Sequence, residues 1–434
     1  MSRLEVSYSF DESHDQVVDM GLFDPRGIAF LAGDGFRGWS GSARRRAVLT
    51  ESAATPGYLP GPLLPGRWHV ILGLYRIAPG GCACTVTVTL DDGPGDVGAL
   101  AVLPAVATPP FDARPRAGPA WFAGDLHCHS HHSDARGSLA DIAAEARARG
   151  LDFVAVADHS TVSQQAHLSA LSSPDFVLLP AQEVSTYYGH LNAWGAAGWL
   201  DFRARTDADM ARIITEGHQR GLLVSANHPD STGRLWKYSL DLPFDCFEVW
   251  NGPWSADNAL SLASWDRMLC AGRRVVAVGG SDYHMPEPQD VGTDEAEGLG
   301  RPTTWVYADD LTPQAILAGL RAGHASISAS RDGPRLWLIA ETADGIAMQG
   351  DRLPAADAKI TCRVSTAVDG VLLLITTEGV VEKQAVRAGE TSVQARLDMA
   401  MHGYVRAELR RNDSMDTAEA ILLALTNPIL QLTG

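Results

Sequence analysis

The stretch GDLHCHSHHSD at residues 124–134 carries the residue types that most often bind metal ions. Two of its histidines, His127 and His129, are separated by a single residue. In an extended segment, side chains two positions apart point to the same side, so both imidazoles can reach one ion. Asp134 adds a carboxylate a few residues later. The spacing therefore indicates metal-binding chemistry.

Other imidazoles and carboxylates stand where apolar runs end. The runs FVAVADH, VLLPAQE, VSANH and VGGSDYH each finish in such side chains, and YYGHL contributes one more shortly after the second run. The residues concerned are His159, Glu183, His190, His228, Asp282 and His284. Desolvated polar groups collected at one edge would be costly without partners, and bound metal ions remove that cost. The sequence thus predicts a metal site assembled from several strands.

Residues 121–333 alternate apolar strands with amphipathic helices. SLADIAAEARARG begins with Ser138 as the expected N-cap, has Asp141 three residues later and ends at Gly150. TDADMARIITEGHQRG repeats the pattern with Thr206 and Asp209. Near-continuous apolar strands after such helices are typical of a parallel sheet buried on both faces, most simply a barrel. In a parallel barrel the carboxyl ends of the strands converge, and every candidate ligand falls there.

The segments on either side alternate apolar and polar residues in short runs. Residues 1–118 contain LEVSYSF, WHVILGLYRI and CACTVTVTL between turn clusters, and residues 334–434 contain AKITCRV and GYVRAELRR. This pattern predicts two β-sandwich-like domains around a central domain at 119–333, with the proline-rich segment 103–121 as a stiff linker. Cys82 and Cys84 are expected on the buried face of a strand, although C-x-C is also a metal-ligand spacing.

The composition restricts the partners and the location. The chain of 434 residues has a formal net charge of −17, which argues against a nucleic acid polymer as the main partner. We find no signal peptide and no apolar run of the ~18 residues that span a membrane, so a cytoplasmic protein without a membrane partner is expected. The six scattered cysteines predict reduced thiols. The sequence does not predict the oligomeric state.

As an ordered set, DLHCHS followed by Ser133 and Asp134, ADH, the pair Glu183 and His190, NHP and SDYH resemble the motifs of the PHP (polymerase and histidinol phosphatase) family of metallohydrolases. The stretches FEVWNGPW, GGSDYH, RPTTWVYA and ALTNPI are similar to its carbaryl-hydrolase (CehA/McbA-type) branch. The family motifs span residues 121–333, and those of the branch extend over most of the chain. The resemblance implies an α/β fold with a distorted (β/α)7 PHP barrel between the two β-domains. These motifs are far less specific to the substrate than to the fold and the metals.

The resemblance also implies two or three divalent ions. The first is assigned to His127, His129, Glu183 and Asp282, the second to Glu183 as a bridge with His190 and His228, and the third to Asp134, His159 and His284. Mixed nitrogen and oxygen ligands favour Zn, Mn or Fe over Mg or Ca. Asp125 and Asp158 are expected to orient imidazoles, and His131 and His132 to lie near the site without binding an ion.

Ions bridged by a carboxylate activate a shared water, so the predicted nucleophile is a metal-bound water acting as hydroxide. Divalent ions would outweigh the charge of the three predicted carboxylate ligands, which favours an anionic small-molecule substrate, most simply a phosphoester. Arg234 and Lys237 either clamp the phosphate or form an exposed basic loop. Tyr283 either donates a proton to the leaving group or packs. The glycine-rich acidic loop 285–302 is either a substrate-selecting segment or a solvated surface excursion.

Three other functions fit parts of the sequence. An ester or carbamate hydrolase uses the same metals on a neutral carbonyl and does not need Arg234 or Lys237. An amidohydrolase barrel also opens with H-x-H but commonly bridges its metals with a carboxylated lysine, whereas Lys237, the only lysine in the central region, lies in a polar loop. A non-catalytic barrel kept as a scaffold is free to lose ligands, and this series is complete.

Overall fold

The computed structural model describes residues 2–92, 118–195, 198–232, 235–285, 298–343, 345–354, 356–411 and 421–432. Within these ranges the chain forms 25 β-strands and five α-helices. None of these helices is long and apolar enough to cross a membrane. The six cysteines are free thiols, which agrees with the prediction from their scattered positions.

The N-terminal unit is built from six strands. They are β1 (Arg3–Phe10), β2 (Val17–Phe23), β3 (Phe36–Gly41), β4 (Arg46–Thr50), β5 (His69–Arg76) and β6 (Cys84–Asp91). They form two three-stranded antiparallel sheets, ordered β4-β1-β6 and β3-β2-β5. Alternate residues of the two sheets, such as Leu4, Val6, Met20 and Leu22, share one apolar core. The boundary of this unit at residue 118 stays a prediction.

The prediction that Cys82 and Cys84 share the buried face of a strand is wrong. Cys82 precedes β6 and packs, half-buried, against the apolar core of the unit, and Cys84 is exposed. Cys84 opens β6, which is exposed along its whole length, and Val88 and Leu90 are 52% and 59% exposed. β6 is an edge strand, and among the described residues the apolar core of this unit contains side chains of β1 and β4 but none of β6. The alternation of apolar and polar residues in CACTVTVTL therefore predicts a strand correctly, but neither face of that strand is buried.

The central region contains nine strands and all five helices. The strands are β7 (Ala120–Cys128), β8 (Phe153–Val156), β9 (Val177–Thr186), β10 (Gly189–Trp194), β11 (Leu223–Asn227), β12 (Cys246–Asn251), β13 (Val276–Gly280), β14 (Thr303–Ala308) and β15 (Ala325–Ser328). The helices are α1 (Leu139–Ala148), α2 (Gln165–Leu171), α3 (Asp207–Gln219), α4 (Ala256–Cys270) and α5 (Pro313–Ala322). Ser138 and Asp141 form the predicted capping box of α1, as Thr206 and Asp209 do for α3.

The α/β class is confirmed, but the expectation of an all-parallel sheet is wrong. β7, β8 and β9 run parallel, as do β11, β12 and β13, whereas β10 is antiparallel to both β9 and β11. Only Tyr187 and Tyr188 connect β9 to β10, and a parallel crossover needs a much longer connection. The hairpin keeps Glu183 on β9 and His190 on β10 close together.

The first and last strands of the β7–β13 set meet at one rim. The amide of Asp282 donates to the carbonyl of His127 over 2.8 Å, and the amide of His129 donates to that of Tyr283 over 3.0 Å. Candidate ligands that follow β7 and β13 are thereby held side by side. A complete (β/α)7 barrel stays a prediction, since the described ranges hold five helices and not seven.

The C-terminal strands divide between two sheets. They are β16 (Arg335–Thr342), β17 (Gly345–Met348), β18 (Arg352–Leu353), β19 (Asp357–Thr366), β20 (Gly370–Thr376), β21 (Gly379–Val386), β22 (Gly389–Asp398), β23 (Tyr404–Arg411), β24 (Leu422–Thr426) and β25 (Ile429–Gln431). β17, β16, β19 and β22 form a four-stranded sheet, whereas β24, β23, β20 and β21 continue the central sheet because β24 pairs with β15. One sheet therefore contains strands from both sides of the predicted domain boundary at residue 333, and the boundary itself stays a prediction.

Asn427, in the turn between β24 and β25, ties the last strands to the central sheet. Its side-chain oxygen accepts from the amide of Ala277 over 2.8 Å, and its side-chain nitrogen donates to the carbonyls of Ala277 at 2.9 Å and Ala325 at 3.2 Å. The side chain is buried, so it satisfies backbone groups at the start of β13 and of β15 that water does not reach.

The N-terminal unit packs directly on the central region. The rings of Phe36 and Trp199 stack with centroids 4.0 Å apart, and Phe23 contacts Trp199 edge-on at 5.8 Å. The half-buried Arg203 guanidinium group donates to the carbonyl of Ile28 over 2.8 Å. These contacts form part of one apolar core shared by both units, which places β2, β3 and β5 beside the rim that carries the candidate ligands.

Candidate metal centre

β7 brings His127 and His129 to the rim where the parallel strands end. Both side chains are fully buried, and their ring centroids are 5.1 Å apart. Cys128, between them, belongs to the apolar cluster behind the sheet together with Ile142 and Val154. The period of two in an extended segment therefore separates the two imidazoles from the thiol.

Glu183, from β9, lies in the middle of the cluster. Its carboxylate is fully buried. The nitrogen-to-oxygen distances are 2.5 Å to His159, 3.2 Å to His127, 3.2 Å to His190, 3.4 Å to His228 and 3.9 Å to His129. These five histidines lie on or after four strands, β7, β8, β10 and β11, so one carboxylate connects most of the rim. A carboxylate in this position can bridge neighbouring ions.

Asp282 and Asp134 provide the two other carboxylates. Asp282 Oδ1 is 3.0 Å from His129 Nε2 and 3.5 Å from His127 Nε2. Asp134 Oδ1 is 3.3 Å from His284 Nε2 and 3.6 Å from His159 Nε2, and its side chain is 47% exposed. Asp134 therefore lies at the open side of the cluster and Asp282 on its inner side.

All nine predicted ligands fall into four groups whose donor atoms lie within 4.8 Å of one another. The groups are His129, Asp134, His159 and His284; His127, His129 and Asp282; His127, Glu183 and His228; and His159, Glu183 and His190. The structure brings the predicted residues together, whereas their division among ions stays a prediction. The four groups do not reproduce the assignment. His190 and His228, assigned to one ion, fall into separate groups, and Glu183 shares no group with His129 or Asp282, with which it was assigned to the first ion.

Several buried ring nitrogens in this cluster lack a hydrogen-bond partner among the described residues. They are His127 Nε2, His129 Nδ1 and both ring nitrogens of His228. His127 Nε2 and His228 Nε2 lie near the Glu183 carboxylate without hydrogen-bonding geometry. Buried polar atoms without partners are costly, and coordination to a cation removes that cost. Six imidazoles and three carboxylates are a donor set that fits the transition-metal ions implied by the motifs.

The charges of the cluster are coupled. Burial opposes charge on His127, but the nearby carboxylates, Glu248 foremost, outweigh burial and hold its pKa well above the usual value. Burial also opposes charge on His159, and Asp134 leads the groups that raise its pKa to about 9. Burial and the neighbouring imidazoles instead lower the pKa of His129 to about 3. Within one cluster, the pKa values of His127 and His159 are thus raised and the pKa of His129 is lowered.

Glu248 is a functional residue that the sequence reasoning missed. It is a buried residue of β12, and its Oε1 accepts from His127 Nδ1 over 2.9 Å. Its Oε2 accepts from the backbone amide of His228 over 2.8 Å and from Asn251 over 3.1 Å. Glu248 therefore fixes the ring of one candidate ligand and the backbone of another. The available signal was a carboxylate inside the otherwise apolar run CFEVW.

The predicted role of Asp125 and Asp158 as partners of imidazole rings is wrong. Asp125 accepts from the amides of Gly300 at 2.7 Å and Ser281 at 3.1 Å, and from the Ser281 hydroxyl at 2.5 Å. Asp158 accepts from the Ser130 amide at 2.8 Å and hydroxyl at 2.7 Å, and from the Ser133 hydroxyl at 2.6 Å. The physical reason is that loop amides and hydroxyls at the rim also need acceptors. Both aspartates fix ligand-bearing loops.

The backbone is strained beside the candidate ligands. His228 has φ +28°, Asp282 has φ +53°, Ser160 has φ +52° and Met285 has φ +51°. Residues other than glycine rarely adopt this left-handed region, and such strain concentrates at functional sites. Two ligands and the residues next to two others therefore have a conformation that the surrounding structure must enforce.

The predicted groups other than metal ligands have different outcomes. Arg234 lies outside the described residues, as do residues 286–297 of the loop at 285–302. Lys237 is exposed and lines a cavity together with Asp134, His159 and His190. The hydroxyl of Tyr283 donates to Glu145 on α1 over 3.3 Å, and burial and the charge of Glu145 raise its pKa to about 12. Tyr283 also lines a cavity together with Asp282 and His284, so its role stays a prediction.

His131 and His132 lie beside the candidate ligands and in none of their groups, as expected. His132 Nδ1 is 2.8 Å from the Ser163 hydroxyl. Arg44, from the N-terminal unit, donates to the carbonyls of His131 and Ser133. The loop that carries Asp134 is therefore held by an arginine from the N-terminal unit on one side and by Asp158 on the other.

Two cavities open at the ligand cluster. One, of about 370 Å³, lies between the N-terminal unit and the β9–β10 hairpin and reaches Asp134, His159 and His190. The other, of about 490 Å³, reaches His228, Asp282 and His284. Candidate ligands from every group are therefore accessible to a small molecule.

No protein-family model matches the chain, and no curated protein matches it. Among solved structures, a two-domain protein from Bacteroides vulgatus that contains a predicted PHP-like metal-dependent phosphoesterase is similar, with 15% identity and a TM-score of 0.40 over 72% of this chain and 96% of that one. A protein from Bifidobacterium adolescentis described as a metal-dependent phosphoesterase has 18% identity and a TM-score of 0.30 over 45% and 95% of the two chains. An amidohydrolase from Chromobacterium violaceum, with bound sulfate and no metal, has 14% identity and a TM-score of 0.28 over 40% and 91%. Similarity at these levels does not identify the activity of this chain.

Proposed function

We propose that this chain is a metal-dependent hydrolase of the PHP type, with a distorted (β/α)7 barrel between two β-domains. The observation that carries the proposal is the Glu183 carboxylate, which is buried within 3.4 Å of ring nitrogens of four histidines from different strands. Ring nitrogens without a hydrogen-bond partner in the part of the chain that the structure describes, and left-handed backbone at His228 and Asp282, support a function that depends on this arrangement. A purely structural rim would not require either feature.

Two or three divalent transition-metal ions (Zn, Mn or Fe) would be held by the nine clustered residues. When bound, such ions supply an activated water and polarise the scissile bond. Glu248 holds the Nδ1 side of His127, so that Nε2 faces Glu183. Glu183 would bridge ions, because its two oxygens face histidines on both sides of the cluster. Asp134, His159 and His284 would hold a third ion at the open side.

The proposed substrate is a small phosphoester. Lys237 places a cation at the edge of the cavity that reaches Asp134 and His190, where an anionic ester would enter. A carboxylic ester or carbamate is the second candidate, in line with the carbaryl-hydrolase branch. One observation favours it, since exposed apolar side chains, Tyr75, Tyr187 and Leu235, line the same cavity. A neutral ester would need no cation there.

The test combines metal content with activity. Wild type and His127→Ala are reconstituted with Mn or Zn and assayed on bis-(4-nitrophenyl) phosphate, 4-nitrophenyl phosphate and 1-naphthyl methylcarbamate. We expect the wild type to retain metal and cleave a phosphoester, and His127→Ala to lose both. His218→Ala is the matched control, because His218 pairs with Asp245 away from the rim.

Three results would contradict parts of the proposal. Full activity of His127→Ala would refute the assignment of this rim as the active site. Turnover of the carbamate alone would replace the phosphoesterase by the second candidate. Wild-type protein that holds no tightly bound transition metal and gains no activity with Mn would favour a non-catalytic scaffold.

A further inference from the structure

The cavity of about 370 Å³ has a polar floor and walls that include large apolar side chains. The floor is formed by the candidate ligands Asp134, His159 and His190. The walls include Tyr75 from β5 of the N-terminal unit, Tyr187 from the β9–β10 turn, and Leu235. We refer to this space as the tyrosine cavity.

The three wall residues leave apolar surface uncovered. Tyr75 is 53% exposed, Tyr187 41% and Leu235 50%. The rings of Tyr75 and Tyr187 are in contact, with centroids 5.3 Å apart and planes at 54°. Large apolar side chains grouped at a cavity that opens onto polar catalytic groups are typical of sites that bind small organic molecules.

Tyr187 is held in place by the N-terminal unit. Its hydroxyl donates to Asp19 Oδ2 on β2 over 2.5 Å, and Asp19 is only 7% exposed. A side chain on Gly73 of β5 would overlap the Tyr187 hydroxyl and would come within 2.9 Å of the Trp39 ring. The absence of a side chain at Gly73 therefore leaves the space that Tyr187 occupies.

Resting on the function proposed above, we propose that the tyrosine cavity binds the organic group of the substrate ester, and that this group is flat and apolar. Tyr75 and Leu235 are the residues that select it, and Asp19 is a positioning residue that orients Tyr187. An ester with such a group has a polar end for the ligand cluster and an apolar end for the tyrosines. The N-terminal β-unit thereby contributes Tyr75 and the Asp19 anchor to the specificity of a site whose metals would be held by the central region.

The experiment compares two esters with activated leaving groups that differ in shape. The value of kcat/KM is measured for 1-naphthyl phosphate and for 2,2,2-trifluoroethyl phosphate with the metal-loaded wild type, Tyr75→Ala, Leu235→Ala and Leu74→Ala. Leu74 is the matched control, because it is an exposed neighbour on the same strand and does not line the tyrosine cavity. Binding of 1-naphthol, measured by isothermal titration calorimetry, gives a readout that does not depend on turnover.

We expect Tyr75→Ala and Leu235→Ala to lose about 10-fold more kcat/KM on the naphthyl ester than on the trifluoroethyl ester, and to bind 1-naphthol about 10-fold more weakly. Leu74→Ala should show neither effect. Equal losses on both esters, or the same losses in Leu74→Ala, would overturn the inference. If the wild type cleaves no ester, the proposed function fails, and 1-naphthol binding alone still decides whether Tyr75 and Leu235 form an aromatic site.

Discussion

Glu248 Oε1 accepts a hydrogen bond of 2.9 Å from His127 Nδ1, and both side chains are buried. The other oxygen of the same carboxylate holds the backbone amide of His228. Two candidate ligands that are 101 positions apart in the chain, His127 and His228, are thus oriented by one residue that binds no ion in the proposed scheme. The geometry of the metal centre therefore depends on a residue outside the ligand set.

Replacement of Glu248 should weaken metal binding without unfolding the protein. Glu248→Gln keeps the size of the side chain and loses the charge that fixes the His127 tautomer. We expect metal affinity to fall by about 10- to 100-fold, as is usual for partners of metal-binding histidines. Competition with a chromophoric chelator measures this. Glu341→Gln, on an exposed pair with Lys359, is the control, and an unchanged affinity in Glu248→Gln would contradict the assigned role.

Removal of the metals should lower stability. An ion that binds only the folded chain raises the free energy of unfolding by about 2.7 kcal/mol when its free concentration is 100 times the dissociation constant. Wild type dialysed against a chelator should therefore melt at a lower temperature and recover on adding Mn or Zn. Differential scanning fluorimetry checks this, and His127→Ala should respond much less. A melting temperature indifferent to chelation would argue against tight binding.

Loss of Asp158 should affect one ion more than the others. Asp158 accepts three hydrogen bonds from Ser130 and Ser133, in the loop that leads to Asp134. In Asp158→Ala these donors lose their acceptor, so the loop and the group formed by Asp134, His159 and His284 should be disordered. We expect the variant to bind one ion fewer than the wild type by elemental analysis. Retention of every ion would show that Asp134 is dispensable or independently held.

Stability at low pH should depend on Glu408. Burial opposes charge on this carboxyl, but Arg406 and Arg410 outweigh burial and lower its pKa. A lowered folded-state pKa stabilises the fold above the unfolded value of about 4.3, and this contribution is lost as pH falls through the folded-state value. Glu408→Gln should cost about 3 kcal/mol at pH ~7, with a smaller difference below pH ~4. Urea denaturation followed by tryptophan fluorescence measures both, and a constant difference would contradict the ionic role.

Gly73→Ala should displace Tyr187 and leave the metals in place. The added methyl group would overlap the Tyr187 hydroxyl, which sits against Asp19. We expect a higher KM for 1-naphthyl phosphate and an unchanged metal content. Steady-state kinetics with elemental analysis checks both, and an unchanged KM would show that the position of Tyr187 does not matter for the substrate.

The sequence predicted which residues meet at one rim, because most of them follow an apolar run, where a polar side chain stands out. Whether they bind metal stays a prediction. Glu248 escaped the same reasoning because it lies within an apolar strand and not at its end. The antiparallel β10 does not follow from the alternation of strands and helices, because β9 and β10 are joined by only two residues and no helix lies between them. The role expected for Asp125 and Asp158 was wrong because the sequence pattern alone does not distinguish an aspartate that orients an imidazole from one that accepts from loop amides and hydroxyls. Asp125, Asp158 and Glu248 also add buried carboxyl groups near the candidate ligands. The net charge of a site loaded with ions would therefore be less positive than the three carboxylate ligands alone imply.

Asn427 has a consequence for how the protein is made. Its side chain completes the backbone hydrogen bonds of Ala277 and Ala325, at the strand that leads to Asp282 and at its neighbour. A nascent chain that has emerged from the ribosome only as far as β15 lacks this amide and the pairing of β24 with β15. The sheet that carries the candidate ligands is therefore complete only after residue 427 has been synthesised. A chain that terminates before this residue would lack backbone hydrogen bonds beside a site whose candidate ligands all lie more than a hundred residues upstream of it.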